Sequence, residues 1–267
     1  MSIQDIVSVC AVKFARLITS KSERGVEAMY DKLASLGFLW IMLVNSINLL
    51  GVDEIILAPS KSKLVPVPLV MTTSEKCVKA VFKPKEGDIV VDVGTYIGRF
   101  TLLASKRVGR SGKVIGIEPN PENFKILKRN IQTNRSTNVV LLHAAASNRE
   151  GILRMYKSPF GGWTSIHNFT DKPFDVLCIT LDACLEKQGI EKVDWIKIDV
   201  EGAGLLVLEG STSTLQRSNN LKLIVEVHTF SNEIEIIEWL EKHGYQVRFL
   251  EPKNKIYHII ATRKKGV

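Results

Sequence analysis

Apolar residues along this chain keep two different periods. Up to residue 50 they recur every three or four positions, and beyond residue 88 short apolar runs alternate with amphipathic stretches. Ile3, Ile6, Val7, Cys10, Phe14 and Leu17 share one helical face, so the pattern predicts helices over 3–18 and 26–50. The run from Gly37 to Leu50 is the most hydrophobic stretch, yet it is shorter than the ~18 apolar residues of a membrane span. It also contains Asn45, Ser46 and Asn48, and is read as a buried helix, with a membrane-surface helix as the alternative. Pro59, Pro66 and Pro68 break 51–70 into short strands and loops, and a helix near 73–82 leads onward.

From 88 the pattern predicts strands at 88–93, 113–118, 139–144, 194–200, 221–227, 245–250 and 255–261. Helices are expected at 98–107, from Pro121 to about 134, at 203–215 and at 232–243. Asn120 caps the second of these, with Pro121 at its first position, and Asn232 with Glu235 forms a capping box for the last. Strands alternating with helices imply a doubly wound, mainly parallel α/β sheet; the final hairpin adds an antiparallel edge. The chain divides into a largely helical N-terminal extension, 1–75, and a main domain, 76–267.

At 267 residues with 45% hydrophobic content, disorder and mini-protein scaffolds are excluded. The net charge of +8 is uneven: residues 99–157 hold twelve Lys/Arg against Glu118, Glu122 and Glu150. Such an excess suits anionic partners, nucleic acid among them, or is a solvated surface. Cys10, Cys77, Cys178 and Cys184 form no C-x-x-C pair, and no His stands at zinc spacing near them. Buried thiols are expected, and, with no basic segment before the first apolar stretch, so is a cytoplasmic location.

The chemistry concentrates at strand ends. Asp92-Val-Gly94-Thr95-Tyr96-Ile-Gly98 follows a strand and opens a helix. Gly94 permits the tight turn and Gly98 the close packing of helix on sheet. Tyr96 stands where a nicotinamide fingerprint needs another Gly, so an oxidoreductase is disfavoured. Asp92 suits a ligand with a cationic amine, such as S-adenosylmethionine. Glu118 ends the second strand, where an acid accepts hydrogen bonds from ribose hydroxyls. Small residues at Ala144, Ala145 and Ala146 leave room for an adenine ring. Asp199 and Glu201 lie two apart at another strand's carboxyl end, able to orient a nucleophile, act as a base or hold a cation. Glu226 and His228 share a face of the next strand, and His228 is a candidate base. No metal cluster is read from the sequence.

Residues 88–210, with V-E-V-H beyond them, resemble FkbM-type class I S-adenosylmethionine-dependent methyltransferases. The resemblance is carried by D-V-G-T-Y-I-G (92–98), I-E-P-N-P (117–121), A-A-A-S-N-R-E-G (144–151), T-L-D (180–182), K-I-D-V-E-G (197–202), L-E-G (208–210) and V-E-V-H (225–228). It implies a Rossmann-like fold and S-adenosyl-L-methionine as cofactor. It implies that Asp92, Gly94, Thr95, Tyr96, Gly98, Glu118, Asn120, Ala145 and Asp199 line the cofactor pocket, with Asp199, Glu201 and His228 at the methyl-transfer site. Thr95-Tyr96 replaces the family's usual Ala-Asn, and Gly204 stands where the family has an acid.

The expected activity is methyl transfer, to oxygen, on a small-molecule, glycan or lipid hydroxyl. An RNA methyltransferase using the basic 99–157 surface and a non-catalytic cofactor-binding protein are the alternatives; nucleic acid is not the favoured partner. No transmembrane segment is expected, only weak peripheral membrane contact. The connection 157–175, with Gly161-Gly162 and Trp163, is expected to be a lid facing the acceptor.

Overall fold

The computed structural model describes residues 54–57, 65–68, 73–157, 164–165, 173–228, 233–250 and 256–264. The helices expected over 3–18 and 26–50, Asn232 of the capping box, and Gly161, Gly162 and Trp163 lie outside them. Within 51–70 two short strands, β1 (Glu54–Leu57) and β2 (Val65–Pro68), pair antiparallel, and α1 (Thr73–Val81) follows. Then come β3 (Ile89–Val93), α2 (Arg99–Val108), β4 (Lys113–Ile117), α3 (Pro121–Thr133) and β5 (Val139–Leu142). The next elements are β6 (Ala145–Ala146), β7 (Gly151–Lys157), β8 (Thr164–Ser165), β9 (Pro173–Ile179) and α4 (Leu181–Lys187). After β10 (Trp195–Ile198) stand α5 (Gly204–Glu209), α6 (Thr212–Arg217), β11 (Lys222–His228), α7 (Glu233–Lys242), β12 (Tyr245–Phe249) and β13 (Ile256–Arg263).

Seven strands form one sheet in the order β12-β13-β11-β10-β3-β4-β5. β5, β4, β3, β10 and β11 are parallel; β13 lies antiparallel to β11, and β12 to β13. Successive residues serve opposite faces: Val90 and Trp195 pack with Leu102 and Leu127, whereas Val91 and Ile196 pack with Leu185 and Tyr245. Both faces are therefore buried, which is why these strands read as apolar runs rather than alternating ones. From β3 the chain moves outward to β4 and β5 and then returns to β10 on the other side. At that reversal the carboxyl ends of β3 and β10 open a crevice, the usual ligand place in such sheets.

Two expectations are corrected. The single helix 203–215 is two, α5 and α6, parted at Gly210-Ser211. A Cβ on Gly210 would stand 2.0 Å from the Ser147 carbonyl oxygen, so the backbone turns away under tertiary contact. The carboxylate of Asp182 then accepts from the N–H groups of Ser213 and Thr214, supplying the new helix end with a cap from another helix. The connection 157–175 is not wholly irregular either. β9 pairs with β7 and β6, and β7 with β8, making a second sheet of order β6-β9-β7-β8.

Cys178 and Cys184 are buried and Cys77 is partly buried, all three free thiols. Among the described residues no helix is long and apolar enough to cross a membrane.

Candidate functional site

The turn after β3 is a tightly held piece of backbone. The N–H groups of Gly94 and Thr95 both donate to the Ile117 carbonyl at the end of β4, at 3.0 and 3.2 Å. Gly94 has φ +80°, and a Cβ there would lie 1.8 Å from the Asp199 carbonyl oxygen. Glycine is therefore required twice over, by conformation and by the close approach of the chain after β10. Gly98, at φ +96°, stands at the start of α2 with Leu127 directly behind it. Tyr96 takes the left-handed region at φ 53°, as does Glu201 at φ 49° in the turn after β10. Two of the three non-glycine residues in that region, among those described, thus flank the crevice, where functional sites hold such backbone.

Glu118, buried at the end of β4, anchors the Tyr96 turn. Its carboxylate accepts from the Tyr96 N–H at 2.8 Å, the Asn120 N–H at 3.0 Å and the Asn123 side-chain amide at 3.3 Å. Burial pushes this carboxyl up to about 7, against the downward pull of those three donors. Asn120 caps α3 as expected, its side-chain oxygen accepting from Glu122 N and Asn123 N. Ala145 is buried in β6, paired with Cys178 of β9.

A row of charged groups crosses the sheet below the crevice. Asp92, 2% exposed, accepts from the Thr101 hydroxyl at 2.7 Å through one oxygen; the other stands 3.9 Å from the Lys197 ammonium and has no hydrogen bond. Lys197 and Asp92 are register partners on β10 and β3. The ammonium lies 2.7 Å from Asp199 Oδ2 and over the Phe100 ring. Burial would lower the ammonium, but Asp199 and Asp92 outweigh it and hold it above its ordinary value. Asp199 in turn is hydrogen-bonded to Glu226. Glu226 is the register partner of His258 on β13, and one oxygen or nitrogen from each of Asp199, Glu226 and His258 lies within 4.8 Å of the others. The cation this group already meets is the Lys197 ammonium.

Burial raises Asp92, opposed by Lys197 and Thr101. It would raise Asp199 too, yet Lys197 and the bond to Glu226 bring that carboxyl down to about 2. Burial and the facing Asp199 push Glu226 well above its ordinary range. Of this row, the Asp199 side chain is 31% exposed and Glu226 is also partly exposed, while that of Lys197 is 3% exposed, so the two carboxyls reach nearer the surface than the ammonium.

The crevice thus gathers Asp92, Gly94, Thr95, Tyr96, Asp199 and Glu201 around the β3 and β10 ends, with Glu118 and Asn120 beside them. His228 ends β11, opposite Ile256, and Ala145 lies beyond β5. Lys197, Thr101, Asn123 and His258 were missed as site residues. Lys197 had a signal, being the lone charge within the otherwise apolar run of β10. His258 had none, since its place depends on the register of the closing hairpin.

The methyltransferase FkbM domain matches residues 92–247, more than half of the chain. The hexuronic acid methyltransferase AglP of Haloferax volcanii is 31% identical over 144 residues, covering 54% of this chain and 57% of that protein. The methyltransferase sdnD of Sordaria araneosa is 27% identical, covering 45% of this chain and 59% of its own length. The chain therefore spans somewhat more than half the length of these curated relatives. Among solved structures, an S-adenosylmethionine-dependent methyltransferase from Aquifex aeolicus is similar at 21% identity and TM-score 0.44, covering 72% of this chain and 90% of that one. Motif, topology and domain match agree: the chain belongs to the FkbM family of S-adenosylmethionine-dependent methyltransferases.

Proposed function

We propose that the protein transfers a methyl group from S-adenosylmethionine to an oxygen atom of a sugar acid, a glycan or another hydroxylated small molecule. The observation that carries this reading is the set of carboxyl groups along the β3/β10 crevice, Asp92, Asp199 and Glu118, in a chain of this family. The cofactor has a cationic amine, a cationic sulfonium and a ribose diol, and the residues suit each. Asp92 and the buried Thr95 hydroxyl both hold polar atoms with no hydrogen-bond partner beside the Gly94 turn. They would hold the amino-acid end. Glu118 spends three acceptor positions on Tyr96, Asn120 and Asn123, leaving about one of a carboxylate's roughly four for the ribose. Gly94 keeps the floor of the turn open, and Tyr96, Gly98 and Asn120 shape its rim.

The cofactor supplies an electrophilic methyl group. Asp199, at the mouth of the crevice, orients the acceptor hydroxyl for in-line attack, and Glu201 and His228 stand on the acceptor side. Holding two reactants in line is worth about 7–11 kcal/mol where geometry is ideal. The relative named for hexuronic acid motivates the acceptor class. Labelled methyl transfer onto a panel of hexuronic acid glycosides, neutral sugars and total RNA tests the reading. Label in the sugar acids is expected; label in RNA alone would overturn the acceptor class.

A further inference from the structure

Ionisable groups from four strands meet under the crevice: Asp92 on β3, Lys197 on β10 with Asp199 just after it, Glu226 on β11 and His258 on β13. Glu201 faces Glu226 from the turn beyond Asp199. Three carboxyl groups, Asp92, Asp199 and Glu226, thus share one buried ammonium. Two like charges in contact, each largely withdrawn from water, are not both ionised cheaply, so one carboxyl keeps its proton. Glu226 is that one: its carboxyl is held well above the ordinary range by burial and by Asp199, with which it is hydrogen-bonded. Asp199 carries the shared charge out to the crevice, where its backbone touches the Gly94 turn.

We infer that Asp199 and Glu226 bind one proton between them, and that they exchange it against the positive charge of the cofactor's sulfonium. This rests on the methyl-transfer reading above. A positive charge at the mouth of the crevice favours the fully ionised pair, which releases its proton. During transfer the acceptor O–H bond breaks and its proton passes to the ionised pair. The O–CH3 bond forms as the CH3–S bond breaks, the electron pair staying on sulfur. One positive charge leaves the crevice and one proton enters the pair, so the charge around Lys197 is the same before and after. His258, the register partner of Glu226, offers a ring nitrogen within 4.8 Å of a carboxylate oxygen of each member of the pair.

Calorimetric titration of the whole chain with S-adenosylmethionine and with S-adenosylhomocysteine tests this without any acceptor. Each titration is run in two buffers of different ionisation enthalpy, which reads protons released per ligand bound. The two ligands share amine and ribose, so contributions from Asp92 and Glu118 cancel in the difference. At pH 7 about one more proton is expected to leave with the sulfonium ligand. The affinity ratio then moves toward the sulfonium ligand by up to about tenfold per pH unit raised. Glu226→Gln, which can still hydrogen-bond to Asp199, is expected to abolish the difference. Equal proton numbers for the two ligands in the native sequence would overturn the inference, whether or not the variant folds. So would a difference that survives in folded Glu226→Gln. Binding of neither ligand would overturn the cofactor reading itself, a result distinct from binding both with equal proton numbers.

Discussion

Lys197 on β10 and Asp199 just past the strand's end stand two residues apart, and ammonium and carboxylate meet at 2.7 Å. The lysine is buried beneath the aspartate, with Asp92 on its other side. Such a pair is weak evidence for stability as a whole, but removing one partner strands the other charge away from water. Lys197→Met is expected to lower the free energy of unfolding by about 3–5 kcal/mol in denaturant melts. Lys187→Met removes an exposed pair with Glu150 and is expected to change it by less than about 1 kcal/mol. Similar effects from both variants would refute the assignment of a buried charge row.

Gly94→Ala places a methyl group 1.8 Å from the Asp199 carbonyl oxygen in a left-handed turn. The turn after β3 and the chain after β10 would be forced apart. A loss of at least about 1–3 kcal/mol in stability is expected, together with weakened S-adenosylhomocysteine binding by calorimetry. Unchanged binding in a folded variant would show that the ligand does not use this turn.

Glu118 gives the fold a pH dependence with a defined sign. Its carboxyl sits at about 7 in the folded chain against 4.5 ordinarily, because burial outweighs its three donors. The folded state holds a proton that the unfolded chain has already released. The Glu118 contribution to stability is therefore fully present below about 4.5 and lost as pH rises through about 7. Measured against Glu118→Gln, the native sequence should lose roughly 3 kcal/mol across that window, at about 1.4 kcal/mol per pH unit. A flat difference between the two from pH 4.5 to 7.5 would contradict the burial argument.

Asp182 tests the T-L-D motif separately from chemistry. Its carboxylate accepts from Ser213 N, Thr214 N and the Thr214 hydroxyl, and so ties α4 to the start of α6. Asp182→Ala is expected to lower stability by about 1–2 kcal/mol in thermal or denaturant melts. Cofactor affinity should stay as it was; a selective loss of affinity with unchanged stability would give this motif a role at the crevice instead.

The parallel core of the sheet is legible in the residues because β3, β4, β10 and β11 are largely buried on both faces and read as near-continuous apolar runs. The Asn120 cap is legible because a cap is local. The helix over 203–215 fails at Gly210, where the cause is the Ser147 backbone far away in sequence. β7 and β9 carry no strand expectation because Ile152 and Leu177, paired across the ladder, are 67% and 52% exposed and blur the alternation. At the site, Asp92, Glu118 and Asp199 are legible from their places at strand ends. Lys197 is legible as the lone charge in the apolar run of β10, whereas His258 requires knowing which strand lies beside β11.

The order of the sheet also sets an order of assembly. β12 is made before β13, yet its neighbour in the sheet is β13, which slots between it and β11. Until residues 256–263 arrive, β11 presents an open, apolar edge with unpaired backbone groups, the kind of surface on which chains misassociate. Those residues also bring His258 to Glu226. Glu226 therefore gains its neighbour His258 only when β13 has been made. Ribosomes that stall before that strand would release a polypeptide that is sticky and lacks the partner of Glu226 for a single reason.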